Sequence, residues 1–211
     1  GAVTADFTKE FIAPTLGIAP DKLKVVIVHE DALYGTTVGQ AEESRAKEVG
    51  LNLVGRQPYS STATDLSSLI LKLKSMEPDV LWATSYIQDL LLFWKQAREV
   101  NFAPKAVIGS GGGYSLTDFS KALGADANGV MNVDFTQYDI SDTYAKGLKD
   151  YVKLYTDTFK EPPRSGHSLA NYVGTMFLWE AIAKASSIAP EAVKKRALAP
   201  DIPEGQTTNG R

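Results

Sequence analysis

The 211-residue sequence contains no cysteine, which excludes disulfide bonds, thiolate metal sites and cysteine nucleophiles. Its two histidines, His29 and His167, are far apart, and neither has other metal-ligand residues at the usual spacing, so no metal site is expected. The 22 lysines and arginines are outnumbered by 25 aspartates and glutamates, for a formal net charge of -3, so no nucleic-acid partner is expected. No stretch approaches the roughly 18 consecutive apolar residues of a membrane-spanning helix.

What the chain does contain is a regular alternation of strand and helix patterns. Apolar residues make up 44% of the sequence and charged residues 22%, which is enough for a real core. Five short apolar runs predict strands at 23–29, 51–59, 78–86, 105–110 and 128–135. Helical patterns separate these runs, and two longer helices are predicted at roughly 142–160 and 167–186. The sequence therefore predicts an α/β fold with a doubly wound, mostly parallel five-stranded sheet flanked by helices.

The loops that follow the five strands form the expected ligand-binding edge, because such sheets bind ligands at the carboxyl ends of their strands. These loops are rich in tyrosine, serine, threonine, glycine and aspartate, and poor in lysine and arginine. That composition favours a small polar or zwitterionic ligand over a phosphate. The candidate ligand-binding residues on these loops are Asp31, Tyr34, Ser85, Tyr86, Gly111, Gly112, Tyr114 and Asp134.

Two motifs imitate nucleotide-binding or catalytic signatures, and both fail at a defining position. In residues 109–114, GSGGGY, a tyrosine stands where the dinucleotide motif G-x-G-x-x-G has its last glycine, and no Walker lysine follows. In residues 166–170, GHSLA, an alanine replaces the last glycine of a nucleophile elbow, and no later histidine completes a triad. We therefore expect no nucleotide or other cofactor, and we predict that Ser165 or Ser168 caps a helix.

The stretch His29-Glu30-Asp31 has two interpretations. Three adjacent acid-base side chains suit a general base or a metal cluster, but adjacent loop residues rarely converge on one ion without ligands from elsewhere. The alternative is the rim of a binding cleft, in which Asp31 hydrogen-bonds the turn that leads to Tyr34 and Gly35. We favour the rim, and an enzyme on a Rossmann-like sheet that uses the three residues for acid-base chemistry is the competing hypothesis.

The order of four segments resembles that of the branched-chain amino-acid type of periplasmic binding proteins. The segments are KVVIVHEDALYG (24–35), TDLSSLILKLKSMEPDVLWATSY (64–86), FWKQAREVNF (93–102) and GADANGVMNVDFTQYD (124–139). Members of this family are the substrate-capturing subunits of ABC importers, and their two lobes close on the ligand. The resemblance implies a non-enzymatic protein, exported to the periplasm or the cell exterior, whose partners are a small solute and a membrane permease. A ligand-sensing domain of a regulator or receptor shares the fold and is the alternative.

Several residue roles follow from this resemblance alone. The family's aromatic ligand contact after the third strand corresponds to Tyr86. Amino-acid binders of the family place an acidic residue after the fourth strand to hold the ammonium of the ligand, and here that position falls at or near Gly111. The resemblance therefore leaves room for a carboxylate or an amide without an amine, unless Asp89 or Asp134 supplies the negative charge.

The resemblance also divides the chain into two parts. Residues 1–160 correspond to the second lobe of the family, and residues 161–211 to a crossover and a helix that returns to the first lobe, which lies outside this sequence. The apolar helix at 172–185 packs in the first lobe of family members. We therefore expect the chain to self-associate through this helix. Its apolar face carries Tyr172, Met176, Phe177 and Trp179.

Overall fold

The computed structural model describes residues 1–138 and 140–199, which form two compact units. The first unit ends at Val133 and the second begins at Asp134. In the first unit all strand pairs are parallel, and the strand order is β2-β1-β3-β4-β5. The strands are β1 (Lys24–Glu30), β2 (Asn52–Tyr59), β3 (Val80–Thr84), β4 (Ala106–Ser110) and β5 (Val130–Val133). The predicted α/β fold with a doubly wound five-stranded sheet is confirmed.

Helices connect the strands and complete the described part of the chain. In the first unit they are α1 (Ala2–Phe7), which continues through a π-helical turn (Thr8–Ile12) into α2 (Ala13–Leu16), then α3 (Leu33–Val49), α4 (Ser67–Ser75), α5 (Ile87–Glu99) and α6 (Thr117–Leu123). Short 3₁₀ turns lie at Gly112–Ser115 and Gly124–Ala127. In the second unit they are α7 (Leu148–Phe159), α8 (Gly166–Ala185) and α9 (Pro190–Ala197). None of the helices in this described part is long and apolar enough to cross a bilayer.

The sheet is buried on both faces, which explains the continuous apolar run of β1. Val26 and Val28 point into one apolar cluster, while Val25 and Ile27 point into the other. Alternate residues of a strand point to opposite faces, so a strand covered on both sides has to be apolar throughout. The order of the strands reverses between β1 and β3, and this topological switch point is where sheets of this class open a crevice for ligands.

The buried indole of Trp82 shows how the N-terminal helical segment is held against the sheet. Its Nε1 donates a hydrogen bond of 3.0 Å to Thr8 Oγ1, in the π-helical turn. The Thr8 hydroxyl in turn donates to the carbonyl of Thr4 at 2.8 Å. A buried indole N–H needs an acceptor, and this threonine supplies it from the neighbouring helix.

The second unit is built around a small aromatic core between α7 and α8. Tyr151 on α7 packs against Tyr172 on α8 with ring centroids 4.9 Å apart. Ser165 caps α8 as predicted, because its Oγ accepts a hydrogen bond of 3.3 Å from the backbone N–H of His167. The domain division at residue 160 depends on a comparison with a lobe outside this chain and stays a prediction, and residues 200–211 lie outside the described part.

Candidate functional site

Two tyrosine side chains meet at the carboxyl edge of the sheet, beside the switch point. Tyr34 lies in the first turn of α3, after β1, and Tyr86 is the N-cap of α5, after β3. Their ring centroids are 6.3 Å apart, with the planes inclined by 40°, and the residues are 38% and 47% exposed. The Tyr34 hydroxyl donates to the carbonyl of Ser110, at the end of β4, at 2.9 Å. Two predicted ligand contacts therefore lie side by side and open to solvent.

The glycine loop after β4 lies directly against the Ser85-Tyr86 loop. The Gly113 N–H donates to the Ser85 carbonyl at 2.8 Å. A Cβ on Gly112 would stand 2.4 Å from that carbonyl oxygen, so no side chain fits there. Gly111 has φ +62° and ψ -146°, a conformation that only glycine adopts readily. The glycines therefore let two loop backbones touch, and ligand contact by Gly111 and Gly112 stays a prediction.

Tyr114 ends this loop with its ring in the core. It is buried and packs against Phe119, with ring centroids 5.3 Å apart. Space for the ring exists because residue 109 is glycine, whose Cβ would lie 2.3 Å from the Tyr114 ring. The Tyr114 ring therefore anchors the glycine loop in the core, and its contact with a ligand stays a prediction.

The Asp31 carboxylate does not hold the turn into α3, so the prediction is wrong for this side chain, although the Asp31 carbonyl accepts a hydrogen bond of 3.3 Å from Thr36 Oγ1. The turn is held by Glu30, whose Oε2 accepts from the Ala32 N–H at 2.5 Å and whose Oε1 accepts from the Gly35 N–H. Asp31 is exposed, and its carboxylate accepts from the backbone N–H of Ser61 at 3.3 Å, in the loop after β2. Glu30 ends a buried strand, so its carboxylate reaches the turn from below, whereas Asp31 faces solvent. A ligand contact by Asp31 stays a prediction.

His29 and Glu30 belong to β1, so they are not part of a loop rim. His29 is buried, its Nδ1 lies 2.7 Å from the Glu30 carbonyl, and its Nε2 lies 3.2 Å from Arg56 Nη1. A carbonyl only accepts and a guanidinium only donates, so Nδ1 carries the hydrogen and Nε2 accepts. Arg56 is also paired with Glu43 at 2.6 Å. Both ring nitrogens are engaged, and residues 1–138 and 140–199 hold no group of three or more acidic or histidine side chains arranged for a metal ion.

Glu42 on α3 is a buried carboxylate that sequence reasoning missed. Its Oε1 accepts a hydrogen bond of 2.6 Å from the Ser110 hydroxyl, while Oε2 has no hydrogen-bond partner among the described residues. Burial raises the pKa of Glu42 to about 7, and the Ser110 hydrogen bond lowers it in part. A pattern in the sequence points to this orientation, because Gly35, Gly39, Glu42 and Ala46 follow the helical spacing of one buried face.

Three further polar residues have different positions in the structure. Asn132 on β5, which sequence reasoning did not single out, accepts from the Gly111 N–H at 3.0 Å and donates to the Ser115 hydroxyl at 3.1 Å. Asp89 is buried in the first turn of α5, so it does not present an open carboxylate at the edge. Asp134 directly follows β5 and belongs to the second unit, and its predicted role stays a prediction.

Comparison with known proteins identifies relatives of the whole chain. A family profile described as periplasmic binding protein matches residues 8–201. Leu/Ile/Val-binding protein homolog 7 of Brucella suis is 44% identical over 200 residues, which cover 94% of this chain and 50% of that protein. Leu/Ile/Val-binding protein homolog 8 of Brucella abortus is 40% identical over 208 residues, which cover 98% of this chain and 52% of that protein.

The fold recurs in solved structures. A leucine binding protein from Thermotoga maritima matches with a TM-score of 0.76 at 21% identity, and the match covers 93% of this chain and 52% of that protein. The chain thus spans about half the length of the relatives that it matches. The profile match extends over most of the chain, and the sequence relatives support it independently. The chain belongs to the periplasmic binding protein family.

Proposed function

We propose that this chain is the ligand-binding lobe of a solute-binding protein that serves an ABC importer. The observation that carries the proposal is the pair of exposed tyrosines, Tyr34 and Tyr86, at the switch point of the sheet. Two half-exposed aromatic rings beside a crevice offer a flat apolar wall to a small solute, and a second lobe would close over them. The relatives named as Leu/Ile/Val-binding proteins support the same role.

Two solute classes are supported by different observations. The names of the relatives favour branched-chain amino acids. The resemblance puts the acidic residue of amino-acid binders at or near Gly111, and a glycine there favours a related small carboxylate or amide without an amine, because a desolvated ammonium needs a paired anion. Glu30 does not replace that anion, since it is fully buried and its carboxylate binds the turn into α3. Leucine and 4-methylpentanoate, which differ only in the amine, separate the two classes.

The decisive experiment measures binding of these two compounds by calorimetry to the full-length protein and to its Tyr86→Ala variant. We expect the variant to lose about 1 to 3 kcal/mol of binding free energy, because it removes an aromatic wall from a cleft that excludes water. Phe11→Ala, which truncates an exposed aromatic residue of the N-terminal helical segment, is the matched control and should bind as the parent does. Unchanged affinity in Tyr86→Ala would remove this residue from the site.

The remaining features of the proposal follow from the family. The protein binds its solute without covalent chemistry and uses no cofactor. It works in the periplasm or outside the cell, where it hands the solute to the permease of the importer. His29 supports the absence of acid-base catalysis, because both of its ring nitrogens are engaged within the protein. An assay for solute uptake in cells that lack the gene tests the role directly.

We also propose that the 211-residue chain self-associates through α8. Apolar residues lie on most sides of this helix, and only part of them is covered within the second unit. Tyr172 packs against Tyr151 and is half-buried, so the open part of the helix is formed by other side chains. These are Met176, Leu178 and Trp179.

A further inference from the structure

Asp89 is a buried carboxylate beside the backbone of the candidate site. It occupies the third position of α5, where its own backbone N–H and that of Tyr86, the N-cap residue, lower its pKa. Free N–H groups in the first turn of a helix favour a negative charge there. The ionised carboxylate therefore stabilises the first turn of α5, from which the Tyr86 ring projects.

A hydroxyl chain extends from Asp89 to the neighbouring loops. The Tyr59 hydroxyl, at the end of β2, lies 2.5 Å from Asp89 Oδ2 and 2.8 Å from Ser85 Oγ. Tyrosine has one hydroxyl hydrogen and an ionised carboxylate has none, so Tyr59 donates to Asp89 and Ser85 donates to Tyr59. The buried Tyr114 hydroxyl lies next to Ser85 in the same cluster. One acidic group thus connects the ends of β2 and β3 with the glycine loop.

No ion pair within residues 1–138 and 140–199 involves Asp89, so no cation among these residues is paired with its charge. The titratable groups that face it are Tyr59 from β2, Glu30 from β1 and Tyr114 from the glycine loop. Burial raises the pKa of Asp89 and the charge of Glu30 raises it further, while the Tyr59 hydroxyl and the two backbone N–H groups lower it. Asp89 can therefore be ionised or protonated, and these two forms make different hydrogen bonds with the groups around it.

We propose that Asp89 is a positioning residue that couples solute binding to pH: when ionised it holds the Tyr59 hydroxyl and stabilises the first turn of α5 at Tyr86, and when protonated it does neither. The neutral acid must donate, and the acceptor that the described residues place beside Oδ2 is the Tyr59 oxygen, so the direction of the hydroxyl chain reverses. The protonated form also interacts more weakly with the nearby Tyr86 N–H. The coupling to solute binding rests on the proposed function, whereas the titration of Asp89 and its effect on Tyr86 do not.

The first test needs no solute. Backbone amide NMR spectra of the 211-residue chain are recorded from about pH 4 to about pH 8. The Tyr86 amide proton should move upfield as the pH falls, with a midpoint above the ordinary aspartate pKa. Asp89→Asn should abolish this transition, because the amide does not titrate.

Tyr59→Phe supplies the signature that a merely structural role does not predict. Removal of a hydrogen bond that favours the ionised form should shift the midpoint of the Tyr86 transition to higher pH. Asp65→Asn, at an exposed carboxylate near the start of α4, should leave the midpoint unchanged. A Tyr86 amide that does not titrate, or that titrates equally in Asp89→Asn, overturns the proposal.

The second test uses the full-length protein with leucine and 4-methylpentanoate as probes. Affinity should fall by up to about tenfold for each pH unit below the midpoint, and Asp89→Asn should give a flat profile. Binding whose pH profile is the same in parent and Asp89→Asn overturns the coupling and leaves the proposed function intact. Failure of both probes to bind at any pH overturns the proposed solute classes instead, while the amide titration still decides the role of Asp89.

Discussion

At the scale of single residues, three carboxylates are buried without forming an ion pair within residues 1–138 and 140–199. Glu30, Glu42 and Asp89 are all buried, and each is held by hydroxyl or backbone N–H donors. The sequence predicted that Glu30 and Asp89 lie near the site, but it did not predict their roles. It did not predict that Glu42 takes part. The composition of the polar run QAEESRAKE does not mark Glu42 as buried, and the signal for its burial is its helical spacing from the small residues of the buried face of α3.

Glu42 should make the stability of the protein depend on pH. Its pKa rises from 4.5 in the unfolded chain to about 7 in the folded one, so between these values the native state holds more protons. The stability is therefore fully present below the lower pKa and declines by about 3 kcal/mol as the pH rises to about 7. Glu42→Gln, which cannot ionise, should be the more stable form at about pH 8 and should flatten the curve. Urea unfolding at several pH values measures this.

The neighbouring Glu43 is the matched control for this experiment. Hydrogen bonds from Lys47 and Arg56 lower its pKa, so its contribution to stability is lost only below the ordinary glutamate pKa and does not change in the range where Glu42 titrates. Glu43→Gln should therefore preserve the decline in stability between weakly acidic and neutral pH. A decline that persists in Glu42→Gln would show that another group is responsible.

At the scale of elements, the sequence predicted each strand of the sheet, because apolar runs separated by helical patterns allow few other assignments. The start of α3 at Leu33 has no side-chain cap of its own, because Glu30 satisfies the first backbone N–H groups from the preceding strand. The end of that helix, in contrast, has its signal in the local sequence as Gly50. Local signals predict helix ends well, whereas a cap supplied across a turn is visible only in the structure.

Gly39 should be essential for the contact between α3 and β1. A Cβ at this position would lie 2.6 Å from the His29 ring, which is locked by Arg56 and the Glu30 carbonyl. Gly39→Ala should therefore destabilise the protein by about 1 to 3 kcal/mol through overpacking. Chemical denaturation measures the change. Gly174→Ala on α8, where a Cβ meets nothing within 4 Å, should instead stabilise by about 0.5 to 1 kcal/mol through helix propensity.

At the scale of the whole molecule, the position of the site depends on the strand order, which no local pattern contains. Tyr34 and Tyr86 are 52 residues apart in the chain and meet only because β1 pairs with β3. The sequence predicts which loops lie at the carboxyl edge of the sheet, because all strands of a parallel sheet end at the same edge. It could not show which two loops flank the switch point, or that the glycine loop touches Ser85.

Self-association is the prediction that concerns the molecule as a whole. Met176, Leu178 and Trp179 on α8 are 54%, 48% and 69% exposed. Burial of a tryptophan removes on the order of 200 Å² from water, which gains about 5 kcal/mol before the costs of association. Sedimentation velocity of the 211-residue chain should therefore show a sedimentation coefficient that rises with concentration.

Variants assign this association to a surface. Trp179→Gln should shift the dissociation midpoint at least about tenfold toward higher concentration, because it removes the largest open side chain of α8. Phe159→Gln replaces an aromatic residue of similar exposure at the end of α7 and should leave the midpoint in place, since it does not lie on α8. Equal effects of the two substitutions would mean that general surface apolarity drives association, and a strict monomer across the whole dilution series would contradict an interface on α8.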